Sequence, residues 1–261
     1  MGGGCAVGVE SDAGKRKRRH AGRWIALVLA AIVVLAVGGF AVYVNDYYHA
    51  ASDNGAYLES TESVPVEQTD GLLAFGDPDS QVGLILYPGA KVAYDAYAPL
   101  MSGLAEQGVF CVVVEVPFNI AFFGSDAAAK AIEAYPNVGS WYVGGHSLGG
   151  VVASSWAADH AGEVEGVVLL ASYPTADLSS SDLRAISLYG SEDEVLNRDA
   201  YDEGRAKLPS SVEEVVIEGG NHAQFGNYGE QAGDGEASIS PEEQWAEASF
   251  AIADFMKMRA S

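Results

Sequence analysis

The segment Gly145-His146-Ser147-Leu148-Gly149 sets a serine between two glycines, directly behind the apolar run Trp141-Tyr142-Val143. A serine hydroxyl is a weak nucleophile at neutral pH. It needs a base, a group that orients the base, and donors for the negative charge that develops during attack. Gly-x-Ser-x-Gly between a strand and a helix meets a prior requirement, exposure, because the chain turns sharply at the serine and the glycines leave room for the turn. With 31 glycines in the chain, chance could supply five such residues. The strand before the motif and the helix behind it are what single out Ser147 as a nucleophile.

Five histidines are available as the base: His20, His49, His146, His160 and His222. His20 precedes a long apolar segment and His49 follows it. His146 should point away from the turn if Ser147 points into a cleft, and His160 falls near a helix C-terminus, where a positive partial charge is favourable without any chemistry. His222, in the loop Gly219-Gly220-Asn221-His222, stands where the chain order serine, acid, histidine places a base. The acid should come from Glu192, Asp193 or Glu194, which follow the apolar run Ala185 to Tyr189. Asp193 is the first choice, as a short acid after a turn of this length, and Glu192 the alternative. Its role would be to hold the His222 tautomer and stabilise the imidazolium. Two backbone donors should face the oxyanion. One is Leu148 N–H, directly after the serine; the other is Ala90 N–H, in the turn Pro88-Gly89-Ala90 that closes the run Val82 to Tyr87.

The elements that must hold these residues alternate along the chain. Strands are expected at Val82 to Tyr87, Val109 to Val116, Trp141 to Gly144, Val164 to Leu170, Ala185 to Tyr189 and Val212 to Ile217. Between and after them, helical spacing covers Tyr94 to Gln107, Ser125 to Tyr135, the stretch from Leu148 through His160, and a last helix ending near Met258. That last helix has a clear start, with Ser240 as cap, Pro241 in the first turn and Glu243 three residues after the cap. Strands and helices at these intervals imply an α/β fold whose mostly parallel sheet is covered by helices on both faces.

Ahead of this body, Trp24 to Val44 gives 21 residues without a charge, enough helix to cross a hydrocarbon core of about 30 Å. The basic run Lys15 to Arg19 before it keeps the N-terminus in the cytoplasm by the positive-inside rule and sends the remainder out. A cleaved signal peptide would have a shorter apolar region and a small-x-small site behind it, so a signal anchor is the preferred reading. The organisation read from the sequence is a basic cytoplasmic tail at 1–23, a transmembrane helix at 24–44, a stalk and edge segment at 45–70, and one extracytoplasmic domain at 71–261 of a single-pass cell-membrane protein.

Charge narrows the partners. Six of the 14 basic residues lie in the first 23 positions, and only Glu10 and Asp12 of the 36 acidic ones precede residue 45, so the body carries 8 basic against 34 acidic residues. Such a surface repels phosphate backbones, which argues against nucleic acid. Cys5 and Cys111 fall on opposite sides of the span and cannot pair. Cys111, in a buried apolar run, reads as a structural thiol, and no Cys and His cluster suggests a metal. Oligomeric state is not legible.

With these residues placed, the chain resembles the α/β-hydrolase superfamily, in particular the bacterial alpha/beta hydrolase fold 5 group related to dienelactone hydrolases. The matching stretches are Tyr87 to Ala90, Tyr97 to Leu100, Pro117 to Asn119 with Ala121 to Phe123, Gly145 to Gly150, Tyr189 to Ser191 with Asp193, and Asn221 to Gly226. Tyr228-Gly229, Gln231 and Gly233 to Gly235 also match. The resemblance implies an α/β-hydrolase fold over nearly all of residues 71 to 258, the triad Ser147, Asp193 and His222, a small-molecule acyl substrate and no cofactor. Pro88 stands where many esterases carry His, and no long insertion offers a lid. Asn119 and Gln224 could line the cleft or only bond their own loops, and Gly226 to Ile239 could border it or be a solvated loop. The leading expectation is a membrane-anchored serine hydrolase acting on an ester, thioester or related acyl bond through an acyl-enzyme. The alternatives are an acyltransferase on the same scaffold and a non-catalytic envelope binding protein.

Overall fold

A computed structural model describes residues 12–257, which form two compact units that divide between Asp46 and Tyr47. The extreme N-terminal residues, Cys5 among them, and the last four lie outside the described residues. In the first unit, helix α1 (Asp12–Asn45) contains the apolar stretch Leu27–Asn45, with a mean hydropathy of 2.7 and length enough to cross a membrane.

The second unit is built on eight strands. They are β1 (Val66–Thr69), β2 (Leu72–Phe75), β3 (Gly83–Tyr87), β4 (Phe110–Val114), β5 (Trp141–His146), β6 (Gly166–Leu170), β7 (Arg184–Gly190) and β8 (Glu213–Ile217). Their order in the sheet is β1-β2-β4-β3-β5-β6-β7-β8. From β4 to β8 every pairing is parallel, while β1 and β2 pair antiparallel and β2 joins β4 antiparallel at one edge. The expected mostly parallel α/β sheet is present.

The remaining helices are α2 (Ala98–Glu106), α3 (Ala127–Ala134), α4 (Leu148–Asp159), α5 (Arg198–Arg205) and α6 (Pro241–Lys257). Successive strand residues point to opposite faces, so Leu84 and Leu86 of β3 enter one core with Leu100, Met101, Ile252 and Phe255, whereas Ile85 and Tyr87 enter the other with Val152 and Trp156. Because both faces are buried, the central strands read as continuous apolar runs.

Three local details depart from or extend the sequence reading. The helical spacing from Tyr94 is realised as a 3-10 turn, Tyr94–Tyr97, followed by α2, because Pro99 lacks an N–H and fits only the first turn of an α-helix. The cap of α6 is reciprocal: Ser240 N–H donates to Glu243 Oε2 at 2.8 Å and Glu243 N–H donates to Ser240 Oγ at 3.2 Å. The segment from Tyr47 is folded onto the body. Tyr48 bridges to Val92, a 3-10 turn covers Asn54–Leu58, and β1 extends the sheet.

Candidate active site

β5 lies inside the sheet between β3 and β6, and its C-terminal end carries Ser147 to the edge where the parallel strands finish. Ser147 has φ 52° and ψ −120°, a conformation that costs a non-glycine residue about 1–3 kcal/mol. It is held there from both sides: Ser147 N–H donates to Leu170 O of β6 at 2.9 Å, and Ser172 Oγ donates to Ser147 O at 2.6 Å. The flanking glycines are obligatory. A Cβ on Gly145 would stand 2.2 Å from the carbonyl carbon of Gly149, and one on Gly149 would stand 2.2 Å from Tyr87 O.

Asp193 and His222 come from the loops after β7 and β8 and are both buried. His222 Nδ1 lies 3.0 Å from Asp193 Oδ2. The other oxygen, Asp193 Oδ1, accepts Val195 N–H at 3.0 Å and Leu196 N–H at 2.8 Å, which fixes the carboxylate plane. With the carboxylate accepting from Nδ1–H, the lone pair of His222 sits on Nε2. Ser147 and His222 line one cavity of about 180 Å³, with Leu148, Ser172, Tyr173 and Leu196 among its other walls. Glu192 and Glu194 are exposed, and Glu192 accepts from Ser191 Oγ. His160 stacks on Trp156 at a centroid distance of 4.1 Å, and His49 is exposed beside Tyr47.

His146 is buried directly behind the base. Its ring lies 4.6 Å from the His222 ring, and its Nδ1 is 2.9 Å from Tyr97 Oη, which itself accepts Gly89 N–H at 2.9 Å. Tyr97 Oη thus bonds the Gly89 amide on one side and His146 Nδ1 on the other. Burial first, and the neighbouring His222 ring second, hold the His146 pKa well below its ordinary 6.5, so the ring is neutral at pH 7. This chain ties the turn before Ala90 to the back of His222. Sequence pattern gives no sign of it, because its members come from three distant segments.

The loop carrying His222 is held by two further side chains that motif reasoning did not single out as site residues. Asp234 accepts Ala223 N–H at 2.8 Å on one oxygen, and His222 N–H at 3.3 Å and Gly235 N–H at 2.9 Å on the other. Gln244 of α6, fully buried, accepts Asn221 N–H at 3.0 Å and donates to Asn221 O at 2.9 Å. An aspartate inside Gly233-Asp234-Gly235 was the available signal, a short acceptor in a turn where backbone amides converge.

The two cleft-lining candidates lie elsewhere. Asn119 lines a separate depression of about 600 Å³ with Tyr47, Tyr94, Glu115 and Phe118. Gln224 borders another of about 400 Å³ with Asp234 and Glu236, and its Nε2 donates to Ile239 O. Ala90 is exposed in the turn after β3, and the carbonyls of Tyr87 and Pro88 press against Gly149 at the start of α4. Leu148 is the first residue of α4, where an amide has no acceptor within the helix. Among the described residues no three His, Cys, Asp or Glu side chains gather as metal ligands. Cys111 is buried in β4, and burial pushes its thiol pKa up.

A model of the alpha/beta hydrolase family matches residues 83–246. Solved structures with the same fold include a dienelactone hydrolase from Anabaena variabilis, 12% identical, covering 74% of this chain and 97% of that one at a TM-score of 0.54. An esterase from Pyrobaculum calidifontis is 18% identical over 80% of this chain and 89% of its own, also with a TM-score of 0.54. Carboxyl esterase 2 from Tuber melanosporum is 12% identical over 81% and 91%, with a TM-score of 0.55. No curated protein matches the sequence significantly.

Proposed function

Because this chain belongs to the alpha/beta hydrolase family, we propose that it is a serine hydrolase of carboxylic esters or thioesters, with Ser147, His222 and Asp193 as its triad. One observation carries the proposal: the strained Ser147 shares a cavity with His222, whose far nitrogen is bonded to a buried carboxylate. In the reaction, Ser147 Oγ bonds to the substrate carbonyl carbon as its proton passes to His222 Nε2, and Asp193 steadies the imidazolium. The oxyanion takes hydrogen bonds from Leu148 and Ala90 N–H. Collapse breaks the bond to the leaving alcohol or thiol, which takes the proton from His222. Water, deprotonated by the same nitrogen, then releases the acid and restores Ser147.

The cavity at Ser147 holds about 180 Å³, which favours a short acyl group. The side chains of Leu27 to Val42 in α1 stand exposed, and an apolar helix of this kind needs a non-aqueous surround. With the basic run before it, this supports a signal anchor that leaves the catalytic domain outside the cytoplasm. The test is hydrolysis of p-nitrophenyl esters of increasing acyl length by the detergent-solubilised full chain. Cleavage should peak at acetyl to butyryl and vanish in Ser147→Ala at unchanged thermal stability. Equal turnover by Ser147→Ala would rule the reading out.

A further inference from the structure

Phe118, Phe122 and Phe123 are exposed by 47%, 60% and 56%, and they come from two successive 3-10 turns, Pro117–Asn119 and Ala121–Gly124, behind β4. The rings of Phe118 and Phe123 meet edge to face at 5.5 Å. Phe118 and Asn119 both hold positive φ, 61° and 54°, so backbone strain is spent on this loop's shape. One exposed phenylalanine is ordinary, as Phe250 on α6 is; three within six residues make an apolar patch.

Hydrogen bonds place that patch. Lys91 N–H donates to Asn119 O at 2.7 Å, so the Phe118 loop is fastened to the residue after Ala90. Tyr48 N–H donates to Lys91 O at 2.7 Å, and Ala93 N–H donates to Tyr48 O at 2.9 Å. The turn proposed to hold the oxyanion is thus bonded on one side to the aromatic loop and on the other to the chain leaving α1. Tyr48 lies three residues beyond Asn45, the last residue of α1, a span of at most about 11 Å. Tyr47 and Phe118 line the same depression. If α1 crosses a bilayer, covalent reach keeps Tyr48 within about 11 Å of the end of that helix, where the headgroup layer is about 5–8 Å deep.

We propose that Phe118, Phe122 and Phe123 form a membrane-docking face seated in the interfacial layer of the bilayer that holds α1, so that Ser147 serves short-acyl esters borne by membrane amphiphiles. The inference rests on the readings of α1 as an anchor and of Ser147 as the nucleophile. The acidic body, with Asp95 and Glu115 in the adjoining depression, opposes an anionic surface, so insertion is apolar and suits a neutral interface.

The test uses the full chain in phosphatidylcholine proteoliposomes, with Cys5→Ser as background and a nitroxide at Phe122→Cys or, for comparison, at Phe250→Cys. The ratio of oxygen to nickel-chelate accessibility should be at least threefold higher at 122 than at 250; equal ratios overturn docking. In parallel, Phe122→Ser with Phe123→Ser should lower hydrolysis of hexadecyl acetate in the bilayer at least tenfold and leave aqueous p-nitrophenyl acetate hydrolysis unchanged. No change, or an equal fall on both esters, overturns the interfacial role. A positive accessibility result without cleavage of either ester by the unsubstituted chain would overturn the hydrolase reading and leave docking standing.

Discussion

Replacing Asp234 by Asn separates positioning of the base from chemistry at the base. The carboxylate accepts Ala223 N–H at 2.8 Å, Gly235 N–H at 2.9 Å and His222 N–H at 3.3 Å, and an amide can keep only one of its two oxygens. Whichever way the amide turns, one short bond becomes two donors face to face. Hydrogen bonds to a charged acceptor are worth about 1.5–3 kcal/mol, and the site is partly buried, so a loss of about 2 kcal/mol is expected. For a domain of this size each kcal/mol moves Tm by about 2–4 °C, giving a fall of about 4–8 °C. Released from this clamp, His222 can move by a fraction of an ångström to about 1 Å, which costs up to about 100-fold in turnover. The assay pairs thermal unfolding of the detergent-solubilised full chain with steady-state hydrolysis of p-nitrophenyl acetate. It should show kcat lowered about 10–100-fold, KM nearly unchanged, and no change in the exposed control Asp254→Asn. A lower Tm with kcat intact would refute the reasoning, because it would make Asp234 a purely structural residue.

Asp193→Asn should lower kcat by about 10⁴-fold while the chain still folds, since an amide facing His222 Nδ1 favours the wrong tautomer; hydrolysis of the same ester measures it. Gly149→Ala should abolish activity and folded yield together, because a methyl group 2.2 Å from Tyr87 O cannot fit; size-exclusion profiles alongside activity check this. His146 predicts a pH effect. Its folded pKa lies below its unfolded value near 6.5, so the unfolded state binds the extra proton, and stability present above pH 6.5 is lost as pH falls. The slope should approach about 1.4 kcal/mol per pH unit, and it should flatten in His146→Asn when Tm is followed from pH 7.5 to 5.

Most of what could be read from the sequence was local. The turn at Ser147 with the apolar strand before it, and the cap Ser240 with Glu243, are each written in residues a few positions apart; the parallel sheet and the partners Asp193 and His222 followed only from the order of such local signals along the chain. The break between Tyr97 and Ala98 was also written in the chain, at Pro99, but the apolar spacing from Tyr94 to Leu104 runs across it unbroken. The contacts behind the site were not legible. Tyr97, His146 and His222 meet only when β5, the loop after β8 and the turn before α2 are brought together, and neither Tyr97 nor His146 stands out in its own segment. The same holds for Gln244, a polar residue on an amphipathic helix whose burial depends on where the Asn221 loop lands. Residues 47 to 58 lack periodicity, and their docking depends on edge hydrogen bonds to Lys91 and Ala93.

The central claim, that Ser147 is a nucleophile activated by His222, is tested most directly by covalent capture. The folded full chain, treated at pH 7.5 with a fluorophosphonate and digested, should yield one modified peptide by mass spectrometry, carrying the adduct on Ser147. His222→Ala should slow its formation by at least 100-fold. An unlabelled Ser147 in folded protein, or labelling at the same rate without His222, would contradict the account.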